Sequence, residues 1–263
     1  MQVRHDLIGD LEINWREARG RPVLYVHGVP TDGADWLPFL ERTGGYAPDL
    51  PGFGGSDKPA HFDYSIAGYA RFLREFVDAL EVERFSLVVH DWGGAGLALA
   101  QAAPERIERL VVIDSVPLLP GYRWHPIARV WRTPLAGEVM MGFTFKWALR
   151  RLPRWTVGPR QPPPELIDHV WRHFDHGTQR AILKLYRSAP PATLAAAGQK
   201  LRQIRAPALI VWGAHDPYVP SHFASAYAEA LGGESEVEVL DTAGHWPWLD
   251  EPEVIDRVSG FLS

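Results

Sequence analysis

The sequence predicts an α/β fold: a mostly parallel, twisted sheet with helices on both faces and a helical block inserted between two strands. Three observations predict it. Short apolar runs alternate with amphipathic runs up to residue 115 and again from residue 208. Between them the β-type runs stop, and prolines, arginines and five tryptophans fill the chain to about Lys200. Finally, Phe85–His90 is an apolar strand that runs into Asp91-Trp92-Gly93-Gly94, a glycine-flanked strand–turn–helix elbow.

Taken in order, Val3–Trp15 alternates around Gly9-Asp10 and reads as a β-hairpin. Pro22–His27 and Tyr46–Leu50 are short buried strands. Ser65 caps a helix whose Ile66, Tyr69, Leu73, Phe76, Val77 and Leu80 share one face. The elbow strand follows, then a helix over Gly93–Ala103 and a strand over Leu110–Ile113. After the insertion, strands Ala208–Trp212 and Val237–Leu240 alternate with helices Phe223–Leu231 and Val254–Leu262. Such alternation gives a sheet covered on both faces, and the insertion reads as a cap over the carboxyl ends of the strands, where such sheets place their sites. The expected layout is a body over residues 1–116 and 201–263 with a cap over 117–200. Pro162-Pro163-Pro164 reads as a stiff linker within the cap.

Composition narrows the function classes. The chain has no cysteine, which excludes disulfides, thiolate metal sites and a cysteine nucleophile. No apolar run approaches the roughly 20 residues that span a bilayer. The opening MQVRHDLIGDLEINW has no signal-peptide core, so a cytoplasmic protein without membrane partners is expected. The net charge of −5 is unevenly spread, with 13 Lys and Arg against 4 Asp and Glu between Pro117 and Lys200. That excess suits attraction between cap and body; an anionic partner is the sharper reading. Net acidity and the lack of a nucleic-acid fold signature oppose nucleic-acid binding. His125, His169, His173 and His176 lack carboxylates at metal-ligand spacing within the cap, so no metal is expected.

An aspartate at the elbow apex cannot make an ordinary acyl-enzyme, but it can displace a leaving group from an sp3 carbon and form an alkyl ester. Asp216, in Trp212-Gly213-Ala214-His215-Asp216-Pro217, follows one strand, and His245, in Gly244-His245-Trp246-Pro247, follows the next. Asp91, Asp216 and His245 thus stand in nucleophile–acid–base order. His245 would take a proton from water while Asp216 fixes its tautomer. Asp114, just after the strand Val111–Ile113, is a second candidate for the acid. In His27-Gly28-Val29-Pro30, Gly28 lets the backbone approach, and the Val29 and Trp92 N–H groups form an oxyanion hole facing Asp91. His27 and His90 read as hydrogen-bonded supports.

HGVPT (27–31), DLPGFGGSDKP (49–59), HDWGG (90–94), WGAHDP (212–217) and GHWPWLDEP (244–252) together resemble the α/β-hydrolase superfamily, in the branch with epoxide hydrolases and haloalkane dehalogenases. The resemblance implies Asp91 as nucleophile, Asp216 as acid, His245 as base, a catalytic water, a small apolar substrate, and no cofactor or metal. Epoxide hydrolases of this branch hold the leaving oxygen with cap tyrosines. Tyr186 matches the late one; Arg132 stands where the early one is sought, with Tyr122 as substitute. Dehalogenases hold the halide with the tryptophan after the nucleophile, here Trp92, and a second Trp or Asn. Trp124, Trp131 and Trp147 are candidates for the second, whereas Val29 is apolar at the Asn position. Epoxide hydrolysis to diols is the leading expectation and dehalogenation the alternative. A non-catalytic ligand-binding protein of the same fold is the third, opposed by the retained triad.

Overall fold

The computed structural model of the chain describes residues 1–146 and 161–263. Eight strands form one sheet: β1 (Gln2–Ile8), β2 (Leu11–Ala18), β3 (Val23–Val26), β4 (Gly45–Pro48), β5 (Phe85–His90), β6 (Ile107–Ile113), β7 (Ala208–Gly213) and β8 (Ser235–Leu240). Their order is β1-β2-β4-β3-β5-β6-β7-β8. The expected hairpin is there, with Ile8 opposite Leu11 across a turn that Gly9 makes at φ +61°. β2 pairs antiparallel with β4, and from β4 through β8 all pairings are parallel.

Sequence and burial agree along these strands. β5 and β7 are buried throughout and apolar except for Ser86 and His90, as strands covered on both faces must be. The edge strand β8 instead alternates glutamate with valine, and Arg257 pairs with both Glu236 and Glu238. Charge on an edge discourages pairing with another chain. β6 begins three residues before its apolar run, because Ile107 already pairs with Phe85. β4 ends two residues before its own run does, since Asp49 turns inward.

One face of the sheet is covered by helices Leu37–Thr43 and Glu253–Leu262, whose Phe39, Leu40, Val254 and Val258 pack with Trp36, Tyr25 and Trp248. The other carries Ile66–Ala79, Ala95–Ala102 and His222–Ala230. Ser65 caps the first of these as expected, its hydroxyl accepting from the Gly68 N–H at 3.1 Å.

Between β6 and β7 the described residues form helices and no strand: Pro126–Arg132, Ala136–Gly142, Pro164–His173, His176–Ser188 and Pro191–Ala197. The proline triplet is more than a linker. Pro164 is the first residue of a helix, where its missing N–H costs nothing. These helices are tied to the body at the loop after β4. Thr178 Oγ1 donates to Gly52 O at 2.9 Å, Lys58 Nζ reaches His173 O and Asp175, and Arg180 and Lys184 donate to the carbonyls of Lys58 and Ala60. Two of the excess cations therefore serve body carbonyls rather than body carboxylates. Among the described residues, no helix is long and apolar enough to cross a membrane.

The loops that carry the site hang on one buried carboxylate. Asp49 accepts from Asn14 Nδ2 at 2.6 Å, Arg16 Nη1 at 2.5 Å, and the N–H groups of Gly33 and Gly55, both at 2.9 Å. It thereby joins β2, the loop after β3 and the loop after β4. Removing one partner of a buried, hydrogen-bonded ion pair strands the other. Asp49→Ala should lower the unfolding free energy by about 3–5 kcal/mol in denaturant titration. A loss under about 1 kcal/mol would show that these loops are held by something else.

Candidate active site

The elbow is built as its sequence demands. Asp91 sits at φ +49°, in the left-handed region that a sharp apex requires and that aspartate tolerates better than most residues. The Val116 N–H and the Ser115 hydroxyl both donate to its carbonyl, at 3.0 and 3.1 Å. Glycine is obligatory around it. A Cβ on Gly93 would lie 2.1 Å from Val26 O, and one on Gly28 would lie 2.4 Å from the Asp91 Cβ. With that space free, the Val29 N–H donates to Asp91 Oδ1 at 2.8 Å.

The other two residues arrive from the ends of β7 and β8. His245 Nδ1–H donates to Asp216 Oδ2 at 2.8 Å, and its Nε2 lies 3.6 Å from Asp91 Oδ2. Asp216 Oδ1 accepts from the N–H groups of Tyr218 and Val219, which fixes the carboxylate. Burial alone would drive His245 neutral, but the charges of Asp216 and Asp91 outweigh it and raise its pKa well above 6.5. For Asp91 burial works against ionisation, and the imidazolium and the Val29 N–H overcome it, so its pKa is lowered. The resting site thus holds a carboxylate–imidazolium pair.

The flanking histidines have the supporting places expected of them. His27 Nδ1–H donates to Gly28 O at 2.7 Å while its Nε2 accepts from the Leu50 N–H at 2.8 Å, so burial keeps it neutral and it shapes the loop. His90 donates from Nε2 to His245 O at 2.7 Å and packs 4.7 Å from the His245 ring. Burial and that neighbouring charge push its pKa down to about 3.

Above Asp91 lies a cavity of about 390 Å³ between the body and the inserted helices. Its described lining is aliphatic and aromatic. The polar exceptions are Thr31, Thr144, His125, Tyr186, Tyr218, the indoles of Trp131 and Trp246, and the pair Asp91 and His245. Tyr186 is buried, its ring 4.9 Å edge-on from both Trp92 and Trp131. Burial, followed by the Asp91 charge, raises its pKa well above 10. The Trp92 indole N–H pulls that phenol the other way, yet reaches hydrogen-bond geometry with no described atom.

Several candidates fall elsewhere. Tyr122 spends its hydroxyl on Tyr218 O at 3.2 Å and is outside the cavity lining, so it does not substitute for the early tyrosine. Arg132 turns to the carbonyls of Tyr186 and Ala189, anchoring the end of the helix that carries Tyr186. Trp124 gives its N–H to Ala189 O at 2.9 Å, which leaves it nothing to offer a halide. Trp92 and Trp124 stack at 5.3 Å behind Tyr186, and neither lines the cavity. Trp131 does line it. Trp147 lies outside the described residues.

Sequence reasoning missed His125. It precedes Pro126 and caps a helix, its Nδ1 accepting from the Ala128 N–H at 3.3 Å. Nε2 must then carry the ring proton, and the residue lines the cavity. Burial pushes its pKa down to about 4, so it is a neutral N–H donor at ordinary pH. The X-His-Pro helix start was the available signal. A second correction concerns His169 and His173, which do meet a carboxylate: Asp32, brought in from the body. His169 Nε2 and Asp32 Oδ2 are 2.6 Å apart. Arg16 lies on the other Asp32 oxygen and Arg172 on His169 Nδ1, so two cations flank the cluster. That surrounding suits a charge-assisted tie between insert and body better than a dication.

A model of the alpha/beta hydrolase fold matches residues 21–252, and the chain belongs to that family. It is a hydrolase with relatives among both expected groups. It is 30% identical to a cis-3-alkyl-4-alkyloxetan-2-one decarboxylase of Shewanella oneidensis, over 94% of this chain and 83% of that protein. It is 24% identical to epoxide hydrolase 3 of Xenopus tropicalis, over 92% and 71%. Among solved structures, the haloalkane dehalogenase DbeA from Bradyrhizobium elkani superposes with a TM-score of 0.83 at 25% identity, covering 99% of this chain and 97% of that one.

The charge state of His245 can be read directly. By nitrogen NMR its imidazole should stay doubly protonated as pH rises through 6.5, because its pKa is raised. Asp91→Asn removes one of the two charges that raise it, and its titration should move to lower pH. An unmoved titration would show that Asp91 does not contribute.

Proposed function

We propose that this hydrolase opens small, uncharged, apolar epoxides to diols through an alkyl ester on Asp91. The observation that carries the reading is the pair of donors in the lining: Tyr186, with its phenol, and His125, with its Nε2–H. An epoxide oxygen leaves as an alkoxide and needs such donors. The absence of any charged side chain other than Asp91 and His245 from the described lining favours a neutral substrate.

In the first step Asp91 attacks an epoxide carbon, the C–O bond breaks, and its electron pair stays on the oxygen. Tyr186 and His125 stabilise that oxygen as charge develops. Esterification removes the Asp91 charge, and with it one of the supports that keep His245 protonated. The proton His245 then releases matches the one the alkoxide gains. Neutral His245, oriented by Asp216, next takes a proton from water, and hydroxide attacks the ester carbonyl. The Val29 N–H stabilises the oxyanion on the Asp91 oxygen it already holds. Collapse frees the diol and restores the carboxylate–imidazolium pair, so the cycle consumes only epoxide and water.

Haloalkane dehalogenation is the second reading, favoured by Trp246, which lines the cavity and whose buried indole N–H has no hydrogen-bond partner among the described residues. The two separate by intact mass. His245→Gln should stall at the ester, gaining the mass of a whole epoxide from a small neutral epoxide. Gain of an alkyl group with bromide release from a bromoalkane would overturn the epoxide reading in favour of the dehalogenase. No adduct from either would leave a different substrate or a binding role. Tyr186→Phe and His125→Phe should each lower kcat on epoxides by about 10²-fold. A bromoalkane, whose leaving group needs no proton, should be affected far less.

A further inference from the structure

Asp114 is a buried carboxyl that the mechanism above leaves unused. It follows β6 at φ +38°, is fully buried, and both its oxygens accept from the Gly213 N–H, at 3.0 and 3.2 Å. Its ligand-capable atoms lie within 4.8 Å of those of Asp216 and His245. Among the described residues, the charged groups that act on it most are Asp216, from the loop after β7, and His245, from the loop after β8.

Three carboxyls, Asp91, Asp114 and Asp216, therefore surround one imidazolium in a dry site. His245 is already held between Asp91 and Asp216, so a third full negative charge would stand without a counter-ion. Two carboxyls this close, shielded from water, share a proton rather than both ionise. Of the two, Asp216 already receives two backbone N–H groups and the His245 Nδ1–H, three donors that favour its charged form. Asp114 receives one N–H, bifurcated.

We propose that Asp114 is a proton-carrying positioning residue, which donates a hydrogen bond from its protonated carboxyl to Asp216 and holds that carboxylate square to His245. Burial, then the Asp216 charge, raises the Asp114 pKa well above 3.8, in keeping with the geometry. The left-handed backbone is part of the device. Asp and Asn are the residues with side chains that best tolerate it, and both can accept from Gly213 while offering a hydrogen to Asp216. Asp114 acts only through Asp216 and does not touch the reacting atoms.

The spectroscopic test needs no substrate; the kinetic one rests on the hydrolase mechanism proposed above. In difference infrared spectra of the whole protein against Asp114→Asn, a carbonyl stretch of a protonated carboxylic acid should be lost, at pH 7 and still at pH 8. Asp35→Asn is the control, since burial pushes the Asp35 pKa to about 7. Asp114→Asn, which keeps the donor, should hold kcat within about three-fold, with the acid limb of the kcat profile unmoved. Asp114→Ala, which loses it, should drop kcat by about ten-fold or more with KM little changed. A band absent at pH 7, or one that persists in Asp114→Asn and vanishes in Asp35→Asn, overturns the proposal. So does a hundred-fold loss in a folded Asp114→Asn, which would mean that Asp114 works as a carboxylate. Failure of every variant and the parent to turn over epoxide would count against the proposed function and leave the infrared result to decide this one.

Discussion

The constraint on which the site depends is the left-handed backbone of Asp91. Holding a residue with a side chain there costs on the order of 1 kcal/mol or more, and it persists only where the surroundings over-determine it. Here they do. Gly93 lets the turn press against β3, Gly28 lets the facing loop close on the carboxylate, and the Ser115 hydroxyl and Val116 N–H clamp the Asp91 carbonyl. These contacts come from the carboxyl ends of β3 and β6, the strands on either side of the elbow strand β5. The sheet is thus a jig that brings the ends of β3, β5 and β6 to one point, and the elbow is where the jig is tightest.

What gathers there is an electrostatic arrangement with little tolerance. A single imidazole stands between the carboxyl groups of Asp91 and Asp216, and backbone N–H groups donate to both carboxyls. In a low-dielectric site such fixed donors act strongly and need no reorganisation during reaction. The apolar cavity above them is what makes the dielectric low. Body and insert therefore play different parts: one supplies the charges, the other most of the apolar lining above them.

The fold was legible because its signals are local. The glycine-flanked apex, the Gly9-Asp10 turn and the Ser65 cap are each set by neighbours within a few residues, and each is where the pattern puts it. The strand-end residues Asp216 and His245 could be paired with Asp91 because chain order and parallel topology bring strand ends together. The insert was harder to read. Its helices pack at angles that no periodicity encodes, so Tyr122, which looks like a cavity tyrosine, faces a carbonyl, while His125 faces the cavity. Asp32 meets His169 across 137 positions, a separation over which spacing within the insert carries no information. Charge counting was only half informative: it found the excess of cations but not that Arg180 and Lys184 would be spent on carbonyl groups.

The aromatic wall behind Tyr186 has an optical consequence. Trp92 and Trp124 stack at 5.3 Å, and Tyr186 stands edge-on between Trp92 and the cavity. Any molecule that settles against Tyr186 shifts the field felt by a coupled indole pair one ring away. The protein therefore carries its own exciton chromophore at the wall of the pocket, able to signal occupancy in near-ultraviolet circular dichroism with no label attached.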